Sequence, residues 1–246
     1  MRESTRTLLF ATAVCLVCSL LLSTTSALLR ERQERNRAFD RLYNILKVLN
    51  LSLTDENGTR ITPAEAERIR AEQIKALVID ARTLEPIPGL TPNQLPADDP
   101  QASARLPVYM LETEDGSPLR YAIPIAGKGL WGMMYGYLAL ESDLTTIAGI
   151  TFYQHKETPG LGAEIEQAWF QKAFVGKRLA KPGSGRPPFE LVKGGVKNRY
   201  PQGSAHAVDA ISGATMTSRG VEDLINATTD RYEPWFETVR EARHVP

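Results

Sequence analysis

From Thr7 to Leu29, between Arg6 and Arg30, the chain carries no charged residue. A run of about 23 residues, rising about 1.5 Å each, is long enough to cross a bilayer as a helix. A cleaved signal peptide is the competing reading, because Thr25-Ser26-Ala27 resembles a small-residue cleavage site. The apolar region is long for a signal, and an amphipathic segment continues directly from it. Residues 1–30 are therefore expected to be a retained transmembrane anchor. Orientation does not follow from charge. Arg2 and Arg6 argue for an inside N-terminus, but Arg30, Arg32, Arg35 and Arg37 crowd the other flank and would put the body in the cytoplasm.

Beyond the anchor, residues 31–104 read as a helical linker or subdomain and residues 105–246 as an α+β domain. Phe39, Leu42, Ile45, Leu46 and Leu49 recur at helical spacing and predict an amphipathic helix ending near Asn50. Asn57-Gly58 is a turn signal. Thr62-Pro63-Ala64-Glu65 reads as a capping box with Pro in the first helical position, opening a charged helix to about Lys75. Ala76 to Ile79 predicts a short strand, and residues 85–104, rich in Pro, Asp and Asn, a long loop.

Four strands are predicted next, at Leu106–Leu111, Leu119–Ile125, Gly132–Leu140 and Thr146–Tyr153. The short links Glu114-Asp115-Gly116-Ser117 and Glu141-Ser142-Asp143 favour antiparallel neighbours over parallel crossovers. Helical periodicity returns at Glu164–Phe174, Lys181–Pro188 is a Pro/Gly loop, and Phe189–Val192 another short strand. The last helix is expected from about Ser218, with Glu233-Pro234-Trp235 interrupting it before a short final helix. The mixture defines the expected fold class: α+β, an antiparallel sheet with flanking helices, preceded by one N-terminal transmembrane helix.

Composition excludes several functions. With 29 basic and 29 acidic side chains, the chain gives no reason to expect nucleic acid as a partner. Its two cysteines, Cys15 and Cys18, both lie in the apolar run, where they read as small apolar residues and not as redox or zinc ligands. The three histidines share no ligand-like spacing. Gly-x-Ser-x-Gly and Walker-type runs do not occur. Gly127-Lys128-Gly129-Leu130-Trp131-Gly132 matches the dinucleotide fingerprint as a string, but it leads into a strand where that fingerprint must open a helix. It reads as a glycine-flanked turn whose Trp131 can border a ligand.

Two stretches carry chemistry. In Glu157-Thr158-Pro159-Gly160-Leu161-Gly162 a Pro and two Gly make a tight turn between a strand and a helix, either a plain connection or a loop with outward-pointing amides. In Asp209-Ala210-Ile211-Ser212-Gly213-Ala214-Thr215-Met216-Thr217-Ser218, three hydroxyl residues follow a turn at the start of a helix. By itself this is ordinary capping chemistry. The order of residues adds to it. Asp209, Ser212, Gly213, Ala214 and Thr215 resemble the recognition motif of bacterial flavin transferases, which attach FMN through its phosphate to the last Thr; Thr215 stands in the acceptor's place.

These pieces together resemble the C subunit of the bacterial sodium-translocating NADH:quinone reductase. The resemblance covers the N-terminal membrane helix, Asn44-Ile45-Leu46, Gly129-Leu130-Trp131 before Tyr135-Gly136-Tyr137, and the two motifs above. Those motifs also occur in the G subunit of the related Rnf complex, whereas the Gly-Leu-Trp segment and the long region before it favour the sodium pump's C subunit. One departure is Ala210, where the family usually has Gly.

The resemblance implies FMN bound covalently to Thr215 as a phosphoryl threonine. It implies a soluble domain on the periplasmic side of the inner membrane and a flavin transferase as maturation partner. It implies single-electron transfer between an iron-sulfur centre and the FMN of the B subunit, in a complex that couples NADH oxidation by ubiquinone to sodium export. This chain alone would bind neither NADH nor quinone. Asp209, Ser212, Gly213, Ala214 and Thr217 are expected around the attachment point, with Thr217 and Ser218 as helix caps. Glu157, Thr158, Gly160, Leu161, Gly162 and Trp131 are expected around the flavin, and Lys156 is the nearest cation in sequence. Two other classes remain: a membrane-anchored protein holding FMN without a covalent bond, and a structural anchor protein with no flavin.

Overall fold

The computed structural model describes residues 2–54, 58–95, 104–113, 115–179 and 188–244. Asn57 of the expected turn, residues 96–103 of the Pro-rich loop, Glu114, and residues 181–187 of the Pro/Gly loop lie outside the described residues. Residues 1–41 and 42–246 form two compact units.

The apolar run and the amphipathic segment, expected as two pieces, form one helix, α1 (Arg2–Val48). No Gly or Pro occurs between Arg30 and Asn50 to break it. Paired charges one turn apart, Arg30 with Glu34 and Arg35 with Glu31, suit the exposed stretch between. The helix stops where Asn50 turns left-handed at φ 59°. Asn50 N then donates to Lys47 O and Leu51 N to Leu46 O, a Schellman closure.

In the second unit, α2 (Pro63–Gln73) opens on the expected capping box: Glu65 N donates to Thr62 Oγ1 and Thr62 N to the Glu65 carboxylate. Five strands follow: β1 (Ile74–Asp80), β2 (Arg105–Glu112), β3 (Pro118–Lys128), β4 (Met133–Glu141) and β5 (Ile147–Gln154). They lie side by side in chain order and every pair is antiparallel. The division of the chain at 104/105 thus cuts between β1 and β2, which pair from Ile74–Leu111 to Asp80–Arg105.

Alternation sets the two faces of the sheet. Leu106, Val108 and Met110 of β2, with Tyr121, Ile123 and Ile125 of β3, share the principal core with the C-terminal helix α5 (Thr215–His244). On β3 that helix sits very close. A Cβ on Gly127 would fall 2.4 Å from Leu224 Cβ, and one on Gly220 would fall 2.3 Å from Lys128 O. On the opposite face, Tyr137 makes an edge contact with Tyr109 and stacks on Tyr153.

Three expectations are corrected. The periodic stretch Glu164–Phe174 is not one helix: a 3-10 turn at Gly162–Glu166 and the short α3 (Ala168–Lys172) meet at Gln167, which is extended with ψ 142°. Ile165, Phe170 and Phe174 are all buried, and five residues from Ile165 to Phe170 do not fall on one helical face, so the chain turns to bury both. The final helix begins at Thr215, earlier than Ser218, and runs through Pro234 without interruption. A Pro inside a helix costs about 3 kcal/mol. Burial of Tyr232, Trp235 and Phe236 around it, at about 1.5–3 kcal/mol each, offsets that cost. Tyr232 also donates to Pro107 O, and burial pushes its phenol far above the ordinary range, which keeps it a neutral donor.

Between α3 and α5 a small parallel pair, β6 (Glu190–Val192) and β7 (Ala207–Asp209), flanks the four-residue helix α4 (Val196–Arg199). Neither β7 nor α4 is foreseen from sequence. At three and four residues they are too short to establish a period.

Candidate functional site

The site is built at the start of α5. Ala214 N donates to Ile211 O, closing a turn in which Gly213 has φ 76°. Thr215 is the first helical residue, and Ser212, Gly213, Thr215 and Met216 are exposed. A hydroxyl at this position is open to another molecule. It also lies where the first amides of a 30-residue helix have no intrahelical acceptor and the helix dipole is positive. An anion placed there is held by geometry and charge together.

Thr217 and Ser218 do not cap α5, contrary to expectation. Both are buried inside its first turns. Ser218 Oγ instead accepts from Ile211 N at 3.0 Å, tying the turn back onto the helix, and Thr217 Oγ1 donates to the carboxylate of Glu157 at 2.5 Å. Asp209 ends β7 with its carboxylate turned to another element, accepting from Val196 N at 2.6 Å and so capping α4.

Glu157 brings the second motif to the first. It is 5% exposed, and its two carboxylate oxygens serve two different segments. Oε2 takes the Thr217 hydroxyl, and Oε1 accepts from Trp131 N at 2.9 Å. Its own amide donates to His155 Nδ1 at 3.1 Å. Gly162 makes room for this contact: a Cβ there would lie 2.5 Å from Thr217 Oγ1 and 2.7 Å from Glu157 Oε2. Only glycine fits. Farther round the loop, Thr158 O accepts from Leu161 N and Ala163 N. Gly160 is exposed at φ 73° with open space beside it. Leu161 is exposed next to Gly213, where an added Cβ would meet Leu161 Cδ2 at 3.0 Å.

The dinucleotide-like string is the β3–β4 hairpin turn, closed by Gly129 N donating to Gly132 O. It opens a strand, as its sequence context requires. Trp131 is held by its amide and is 64% exposed as a residue. The stem of Lys156 lies near Gly132. The structure thus links Trp131, Glu157, Gly162 and Thr217 to one another, sets Leu161 against Gly213 in the turn before Thr215, and directs the Asp209 carboxylate to α4. Sequence reasoning passes over Met216, Leu130 and Met133, all exposed apolar side chains on the same two segments. It also passes over His155, which holds the Glu157 amide. Large apolar residues inside a turn and beside a helix cap were the available signal.

An exposed Thr at a positive helix end, with exposed Met216 next to it in sequence and exposed Trp131 and Leu161 on the segments joined to that helix start, suits a ligand with an anionic tail and a flat apolar ring. Comparison with known proteins agrees. The family model for the FMN-binding domain matches residues 129–230, the span from the hairpin turn into α5. The fold and site therefore define an FMN-binding domain behind an N-terminal apolar helix long enough to cross a membrane.

The C subunit of the Na(+)-translocating NADH-quinone reductase of Yersinia pestis is 35% identical over 255 residues, covering 96% of this chain and 93% of the relative. Its counterpart from Vibrio alginolyticus is 35% identical over 231 residues, covering 88% and 87%. A crystal structure of the counterpart from Parabacteroides distasonis matches with a TM-score of 0.69 at 31% identity, covering 85% of this chain and 96% of that one. That of Shewanella oneidensis NqrC gives 0.67 at 29%, covering 85% and 99%. The chain belongs to the NqrC family, the C subunits of the Na(+)-translocating NADH-quinone reductase. The resemblance carried by the motifs is borne out, and of the sodium pump and the Rnf complex it is the former.

Proposed function

We propose that Thr215 carries FMN through a phosphoester and that α1 is a retained anchor, with the body on the periplasmic side of the inner membrane. FMN so held supplies one-electron transfer between an iron-sulfur centre and the FMN of the B subunit, as part of a sodium-pumping NADH:quinone reductase. The observation that carries this reading is exposed Thr215 at the first position of a 30-residue helix, with nearby Thr217 buried. An unactivated Thr hydroxyl is a poor nucleophile, so the flavin transferase has to bring the base. The chain's part is to present the acceptor, to hold the phosphoryl charge with the free amides of α5, and to offer apolar cover through Trp131, Leu161 and Met216. The anchor is proposed to take residues 1–30, and the body to begin with the last turns of α1 and to include β1, which pairs with β2.

The test is co-expression of the full chain with and without a flavin transferase, followed by a denaturing gel viewed under ultraviolet light. A yellow-fluorescent band that needs the transferase supports covalent attachment. Flavin that leaves the protein on denaturation points to the non-covalent binding class, and no flavin at all to the structural anchor.

A further inference from the structure

Glu157 stands in a motif expected to touch the flavin, yet its atoms are spent elsewhere. Both carboxylate oxygens are taken by protein donors, Trp131 N and Thr217 Oγ1, and the side chain is 5% exposed. Glycines border it on two sides. A Cβ on Gly129 would lie 2.6 Å from Oε1, and one on Gly162 would lie 2.7 Å from Oε2. These two glycines belong to the hairpin turn and to the loop after β5, and Thr217 belongs to the first turn of α5. A single carboxylate therefore joins three segments that are far apart in sequence, Thr217 being 60 residues from Glu157. Two hydrogen bonds from one buried side chain, each to a different segment, hold those segments in one arrangement.

We infer that Glu157 is a positioning residue for the flavin and not a ligand to it: it fixes the Trp131 turn against the start of α5, so that Trp131 keeps one place relative to Thr215. The role rests on the reading that Thr215 carries FMN. One covalent link through the phosphate leaves the rest of the cofactor free to swing about rotatable bonds. A defined ring position needs cover that is itself held. Trp131 is 64% exposed, and its amide is gripped by Glu157, which holds its backbone in place. His155 supports the same arrangement from behind by accepting the Glu157 amide.

The experiment uses the full chain, made with the transferase and, separately, without it. Without flavin, amide hydrogen exchange at Trp131 reads the clamp alone. Glu157→Ala should speed it about tenfold or more, the loss expected when a buried donor is left without its acceptor. Glu157→Gln should leave it near wild type, because an amide oxygen can still accept from Trp131 N while the amide nitrogen donates to Thr217 Oγ1. With flavin attached, Glu157→Ala should lower the flavin's fluorescence anisotropy and raise its fluorescence yield, and Glu157→Gln should restore both. Wild-type exchange and anisotropy in Glu157→Ala would overturn the inference. So would a Gln variant as disturbed as the Ala variant, which would make the charge itself, or direct contact, the operative property. If Glu157→Ala does not fold, Thr217→Val takes its place: it keeps the shape and removes one arm of the clamp, and unchanged anisotropy there is equally contradictory. Absence of flavin from the wild-type chain would fail the attachment reading while leaving the exchange result to stand by itself.

Discussion

The two long helices keep their apolar residues in opposite places. In the first 30 residues of α1, Leu8, Leu9, Phe10, Leu16, Leu20 and Leu22 are all exposed, and the apolar residues run right round the helix. In α5, Val221, Leu224, Ile225, Tyr232, Trp235 and Phe236 fall on one stripe and are buried against the sheet. Both helices are well formed, so backbone hydrogen bonding does not distinguish them. What differs is the solvent each one is written for. α5 finds its apolar phase inside the protein, whereas the described apolar stretch of α1 is exposed and, as the proposed anchor, would find its phase in a bilayer.

The sharpest way to break this comparison is to remove residues 2–30. The account expects the truncated body to move from the membrane pellet to the soluble fraction with its unfolding midpoint unchanged. A body that stays in the membrane, or loses its cooperative transition, contradicts it. In intact cells with a permeabilised outer membrane, external protease should digest the body; a protected body, or a mature N-terminus at Leu28, counts against the proposed topology.

Next in size is a pair of truncations read by denaturant unfolding of the full chain in detergent. Phe236→Ala should cost about 3–5 kcal/mol, the usual range for emptying a fully buried aromatic site. Leu20→Ala should change the body's stability by less than about 0.5 kcal/mol, as exposed substitutions do. Equal effects would mean that the Leu20 stretch of α1 is packed within the protein, as Leu42, Ile45 and Leu46 in its last turns are.

A smaller effect is expected where α5 lies on β3. Gly220→Ala adds a Cβ 2.3 Å from Lys128 O, a backbone atom that cannot swing aside. Ala is the better helix former by about 1 kcal/mol, but displacing α5 costs about 1–3 kcal/mol by overpacking. A net loss of stability is expected, and a gain would show that the close approach is not needed.

The smallest effect lies at the far end of α5, where Arg240 donates to Leu144 O in the β4–β5 turn. Asp143 shapes that turn. Partial burial pushes its carboxyl up, but hydrogen bonds from Thr146 and Thr145 outweigh this and hold it below the ordinary carboxylate value. A depressed folded pKa means the contribution is complete above the unfolded value and is lost as pH falls through the folded one. Because the group is mostly solvent-exposed, the change should stay below about 1 kcal/mol. Asp143→Asn should flatten this acid limb in a pH series of unfolding midpoints.

The same contrast explains what was legible in the sequence. The strands of the sheet were, because Leu106, Val108 and Met110, or Tyr121, Ile123 and Ile125, alternate as a one-faced core requires. So was the apolar run of α1. Pro234 misleads because a helix breaker is a local signal, while the burial of Tyr232, Trp235 and Phe236 that overrides it is tertiary. The site follows the same division. The strings around Glu157 and Thr215 stand out, but the bond from Thr217 to Glu157 and the grip on the Trp131 amide join positions that no local pattern connects.

Peptide mass spectrometry of the full chain made with a flavin transferase tests the central claim most directly. The account predicts a single flavin-bearing peptide with FMN on Thr215, whose hydroxyl is exposed at the first residue of α5. FMN on Thr217, buried and bonded to Glu157, or an unmodified peptide, would contradict it.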